Sequence, residues 1–113
     1  MINQGVFPPQ RYGRLRAKCT QSSTDAPAMA TPVENTLAGT PVFAYSDVGI
    51  YTLTLTGLFT AGKTFVRVTP VGAVHCAVVY TSANVVTLNF KDLATPSAAE
   101  SGDFDLDIIV YDV

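Results

Sequence analysis

The chain has 113 residues, 48% of them hydrophobic and only 14% charged, with a formal net charge of −2 at pH 7. That length gives one domain able to bury roughly 65% of its unfolded surface. Sparse charge with a mean hydropathy of +0.28 excludes a disordered chain. A pI near 5.0 argues against nucleic acid as a partner, and no run approaches the ~18 apolar residues of a membrane-spanning helix.

Met1 to Gln10, with Gly5 and Pro8-Pro9, reads as an extended N-terminal arm ahead of one domain at 11–113. It lacks the apolar stretch of a secretory signal, so Cys19 and Cys76 are expected as free thiols rather than a bridge. From Tyr12 to Thr20, Leu15, Ala17 and Cys19 alternate with Arg14, Arg16 and Lys18. This predicts a strand with one apolar and one cationic face. Beyond Tyr12 no aromatic residue interleaves with these cations, so a base-stacking platform is not supported. Arg11 extends the basic stretch, and Glu100, Asp103, Asp105, Asp107 and Asp112 make the other end acidic.

Gln21 to Gly39 is rich in Ser, Thr, Ala and Pro and shows no period. It reads as a long connection lying over a sheet edge, making a helical turn around Val33 to Leu37, or reaching to a neighbour. Val42 to Tyr45 is a short predicted strand. In Gly49 to Val68, Tyr51, Leu53 and Leu55 alternate with Thr52, Thr54 and Thr56, and Phe65 to Val68 resumes the pattern after Gly57 and Gly62. This pair is expected to form a hairpin with a long loop. Ala73 to Thr81 is a nearly continuous apolar run, predicting a strand covered on both faces. Val86, Leu88 and Phe90 mark the inner face of the next strand, and Phe104, Leu106, Ile108 and Val110 that of the last. The predicted fold is all-β: an antiparallel β-sandwich or jelly-roll-like barrel of about seven or eight strands.

Chemistry-bearing constellations are sparse. His75 and Cys76 are adjacent on a strand and face opposite ways, so they cannot form a nucleophilic dyad. One histidine and two cysteines do not complete a zinc set. Asp103, Asp105 and Asp107 stand about 6–7 Å apart along one strand face, wide for a calcium ion unaided by loops. No tryptophan marks a sugar cleft for a carboxylate pair. Ala61-Gly62-Lys63-Thr64 lacks the first glycine of a phosphate loop and opens no helix. No catalytic residue, cofactor or metal is expected.

The motifs GIYTLTLTGLF, FVRVTP, VVTLNF and GDFDLDIIVYD, spread over about the last 65 residues, resemble a pattern found in bacteriophage virion proteins. There a G-x-Y-T-x-T strand leads to an x-V-x-V-T-P strand, and a D-F-x-hydrophobic strand closes the sheet. These are sandwich domains of capsid decoration (cement) proteins and of head and tail fibres, commonly trimeric. The resemblance implies a non-enzymatic virion protein, a homotrimer, and a partner such as the major capsid protein. Under that reading the attachment surface combines apolar Ile2, Val6 and Phe7 with Arg11, Arg14, Arg16 and Lys18, and with Asp103, Asp105 and Asp107. The alternative is a carbohydrate- or host-surface-binding module, for which Tyr12, Tyr45, Tyr80 and Phe59 are the candidate aromatics.

Overall fold

The computed structural model describes residues 12–37, 39–60, 62–95 and 97–111; the predicted arm lies outside them. Among the described residues the chain is all-β, with eight strands: β1 (Tyr12–Thr20), β2 (Ala28–Asn35), β3 (Val42–Asp47), β4 (Ile50–Thr54), β5 (Thr64–Pro70), β6 (Val74–Tyr80), β7 (Val85–Asp92) and β8 (Phe104–Tyr111). They form two four-stranded antiparallel sheets, ordered β2-β1-β8-β5 and β3-β4-β7-β6. Of the two predicted architectures, this is the sandwich.

The inner faces follow the period-two pattern. Leu15, Ala17 and Cys19 of β1, Val66 of β5 and Phe104, Leu106 and Ile108 of β8 meet Tyr51 and Leu53 of β4 and Val86, Leu88 and Phe90 of β7 in one buried cluster. Leu55 and Val110, predicted to share this core, pack against it from partly buried positions. A run of tilted and edge-on ring contacts crosses the core, Tyr51–Phe90 at 5.6 Å, Phe90–Phe104 at 5.3 Å and Phe104–Phe43 at 5.9 Å. Such contacts contribute about 0.5–1.5 kcal/mol each beyond area burial.

Three expectations are corrected. The Gly49–Val68 stretch is not a hairpin: β4 pairs with β3 and β7 in one sheet, β5 with β8 in the other. The intervening loop buries Leu58 and Phe59 at the end of the sandwich. Backbone bonds from Phe59 to Ala83, and from Gly57 to the Asn84 side chain, hold it against the β6–β7 turn. Gln21–Gly39 is not an irregular connection; it contains β2, an edge strand on β1. Two register shifts, between Arg16 and Ala17 and between Lys18 and Cys19, each displace the pairing, and Pro32 falls within this edge strand. A bulge inserts one residue and slips the alternation, which is why no period is visible there. Finally, β6 is not covered on both sides: it is an edge strand with half-buried Val74, Cys76 and Val78 alternating with exposed His75, Ala77 and Val79.

Candidate interaction surface

The outer face of the β2-β1-β8-β5 sheet carries five of the ten predicted site residues, Arg14, Arg16, Lys18, Asp105 and Asp107. Alternation turns Arg14, Arg16 and Lys18 of β1 outward while Leu15, Ala17 and Cys19 enter the core. The antiparallel register sets Lys18 opposite Asp105 and Arg16 opposite Asp107 on β8. Sequence-distant basic and acidic strands therefore become neighbours, and the charges neutralise each other within the chain. Lys18 Nζ lies 3.1 Å from an Asp105 carboxylate oxygen. Arg14 donates through Nε (3.3 Å) and a terminal nitrogen (3.1 Å) to the two oxygens of Asp107, a fork-to-fork geometry. The Arg14–Asp107 pair is about three-quarters covered on both sides, whereas Lys18–Asp105 is open to solvent and so adds little stability.

On the far side of β8, Arg67 of β5 also stands opposite Asp107, while Glu34 of β2 stands opposite Arg16. Arg16, Lys18, Arg67, Thr69, Asp105 and Asp107 line a shallow groove of about 340 Å³. Next to it, Phe65 of β5 and Tyr111 of β8 pack edge to face at 5.8 Å, with Phe65 half exposed. Asp103 lies apart from this strip: it precedes β8, and its carboxylate accepts a hydrogen bond from the Gln21 backbone at 3.4 Å. Ile2, Val6, Phe7 and Arg11 are outside the described residues.

A polar cluster that sequence reasoning missed closes one end of the sandwich. Glu100 accepts hydrogen bonds from the hydroxyls of Tyr45 (3.0 Å) and Tyr51 (2.9 Å) and from the Gly49 backbone N–H (2.9 Å). The Tyr51 oxygen in turn accepts from the Ser101 N–H at 3.0 Å. Gln21 completes the closure: its amide nitrogen donates to the Ser23 and Asp25 carbonyls, and its amide oxygen accepts from the Gly102 N–H at 3.0 Å. Burial and the Glu100 carboxylate push the Tyr45 hydroxyl up to about 12 and raise that of Tyr51. The available signal was Tyr51 itself, a phenol in the inward phase of a strand, whose hydroxyl needs a partner once buried.

The candidate aromatics for glycan binding do not assemble. Phe59 is buried, Tyr45 is tied to Glu100, and the Tyr80 hydroxyl accepts from the Val66 backbone N–H at 2.9 Å; the Tyr12 side chain is outside the described residues. Cys19 is buried, Cys76 half-buried, and both are free thiols. Burial pushes each up to about 12, helped at Cys19 by the negative charge of Asp105, which suppresses the nucleophilic thiolate. Among the described residues no three His, Cys, Asp or Glu side chains converge in a way that would hold a metal ion.

The opposite outer face, on the β3-β4-β7-β6 sheet, is chemically different. Its rows run Val42, Thr54, Val85 and Ala44, Thr52, Thr87, Val79, then Asp47, Ile50, Asn89, Ala77, so that Asp47 at the β3 edge carries a charge before Lys91 is reached. The chain thus presents one charge-paired face and one with few charges. No family model, no curated protein and no solved structure matches it.

Proposed function

We propose that this chain is a structural bacteriophage virion protein, most simply a capsid decoration (cement) protein, with a head- or tail-fibre domain as the neighbouring role. The observation that carries the reading is the resemblance of GIYTLTLTGLF, FVRVTP, VVTLNF and GDFDLDIIVYD to virion β-domains. It is supported by two chemically distinct outer faces on a small sandwich, which suit one side to a shell and the other to neighbours. In this reading the role is non-enzymatic, and attachment uses the Met1–Gln10 arm together with the charged face. Ile2, Val6 and Phe7 supply salt-insensitive burial. Arg16 and Arg67, which flank Asp107, supply charge recognition, since Arg14 and Lys18 are engaged within the chain. Co-sedimentation with purified particles tests this. Binding should weaken as salt rises, and deletion of residues 1–10 should leave a folded domain that no longer sediments; normal incorporation of the truncated chain would contradict the assignment of the arm.

One observation favours a second reading. The Phe65–Tyr111 pair beside Arg67 and Asp107 combines an aromatic platform with polar groups, the chemistry of a host-surface glycan module. Loss of glycan-array binding on Phe65→Ala would support it.

A further inference from the structure

Charge pairing on the β2-β1-β8-β5 face is incomplete. Arg16 and Arg67 both stand opposite Asp107, one from each side of β8, which sets their Cα atoms about 10 Å apart across two strand spacings. Asp107 is already bonded through both oxygens to Arg14, and Asp105 is paired with Lys18. Among the described residues neither the Arg16 nor the Arg67 guanidinium makes a hydrogen bond or ion pair. Two planar forks of the kind that holds a carboxylate at Arg14 are therefore open to solvent. The face carries four cations, Arg14, Arg16, Lys18 and Arg67, against three carboxylates, Glu34, Asp105 and Asp107. That is an excess of positive charge in a chain whose net charge is −2.

The groove lined by these arginines shares Arg67 and Asp107 with a second depression of about 390 Å³, which reaches Phe65, Ile109 and Tyr111. Phe65 is 51% exposed and precedes Arg67 by two residues, on the same face of β5. One surface thus sets guanidinium donors, carboxylate acceptors and an open aromatic ring side by side. An ionised carboxylate offers about four acceptor positions, so Asp105 and Asp107 retain capacity for hydroxyl donors beyond the bonds they already receive. The edges of this sheet are closed to an added peptide strand. Strand β2 contains Pro32 and two register shifts. On β5 the Thr64 and Val66 N–H groups are bonded to the Thr60 carbonyl and the Tyr80 hydroxyl, and Pro70 has none. A ligand of this sheet is therefore recognised by side chains of the face, not by strand addition.

We propose that this surface binds an acidic glycan, one whose sugars carry carboxylates as uronic acids do. Arg16 and Arg67 hold the sugar carboxylate, since a guanidinium fork matches its two oxygens. Phe65 packs against the C–H face of a pyranose ring, and Asp105 and Asp107 accept hydrogen bonds from sugar hydroxyls. The inference rests on the glycan reading of this face and specifies the class of sugar. All three kinds of group are used only by such a ligand. An acidic peptide or a nucleic acid strand would answer the arginines but bring few hydroxyl donors, leaving its charges against Asp105 and Asp107. A neutral glycan would leave both arginines without an anion.

An array of uronic-acid, sulfated and neutral oligosaccharides, with oligoglutamate and single-stranded DNA as further spots, tests this with the full chain. Uronic-acid oligosaccharides should be retained above all the others, and their binding should fall as salt rises. Arg16→Gln and Arg67→Gln, both at exposed positions, should keep the thermal transition. Each should weaken binding by about tenfold or more, the loss of a charge-assisted contact. Lys91→Gln, the same loss of charge on the opposite sheet, should leave binding unchanged. Equal or stronger retention of neutral or sulfated oligosaccharides, or binding indifferent to both arginine variants, overturns this inference while the glycan reading survives. Preferential capture of oligoglutamate or DNA, or an array on which nothing is retained, overturns both.

Discussion

At the scale of single residues, the fold depends on inward-facing side chains that the two-residue period marks directly. Leu53 and Leu106 are buried in the shared core, so replacing either by Ala should cost about 2–5 kcal/mol in chemical denaturation. Tyr51 plays two parts, a ring in the aromatic run and a hydroxyl bonded to Glu100 and Ser101. Tyr51→Phe keeps the ring and leaves Glu100 short of a donor, an expected loss of about 1–3 kcal/mol. The period identified Tyr51 as core but not its partner, because Glu100 is 49 residues away on a loop with no pattern. Alkaline titration reads the same environments. The Cys19, Cys76 and Tyr45 groups are all raised to about 12, so the native state holds protons that the unfolded chain releases from about pH 9 for thiols and 10 for tyrosine. Their stabilisation is complete below pH 9 and declines as pH rises toward 12. Denaturation midpoints measured across that range should fall, and native thiols should alkylate far more slowly at pH 8 than unfolded ones.

Individual strands were legible where they alternate and opaque where the alternation slips or where pairing is the question. β1, β7 and β8 stand where the sequence predicts them because each has one buried and one outward face. β2 was hidden by its register shifts and Pro32. The β4–β5 stretch resembles a hairpin in sequence because periodicity reports which face is buried but not which sheet a strand joins; the loop that buries Leu58 and Phe59 carries the chain across. In β6, Ala77 and Val79 are apolar yet exposed, so composition mimics burial on both faces. The charged face was half visible: both strips were read, but only the register showed that they neutralise each other. At a tight crossing, Gly49 has φ +70° and a Cβ there would lie 2.4 Å from the Ala99 carbonyl. Gly49→Ala should therefore destabilise the domain and separate the β3–β4 turn from the 98–102 segment, visible as faster amide exchange at Phe90 and Ala99.

The whole molecule is a two-sheet sandwich with a charge-paired face, a face with few charges, and one end closed by the Glu100 cluster. In the proposed reading, attachment falls to the charged face together with the Met1–Gln10 arm. The most direct measurement of the central claim is quantitative mass spectrometry of particles purified through a density gradient from the culture that produces this protein. A structural virion component should co-purify with the major shell protein at a fixed ratio that survives washing at low salt. Its recovery only in the soluble fraction, with none in the particle band, would contradict the account.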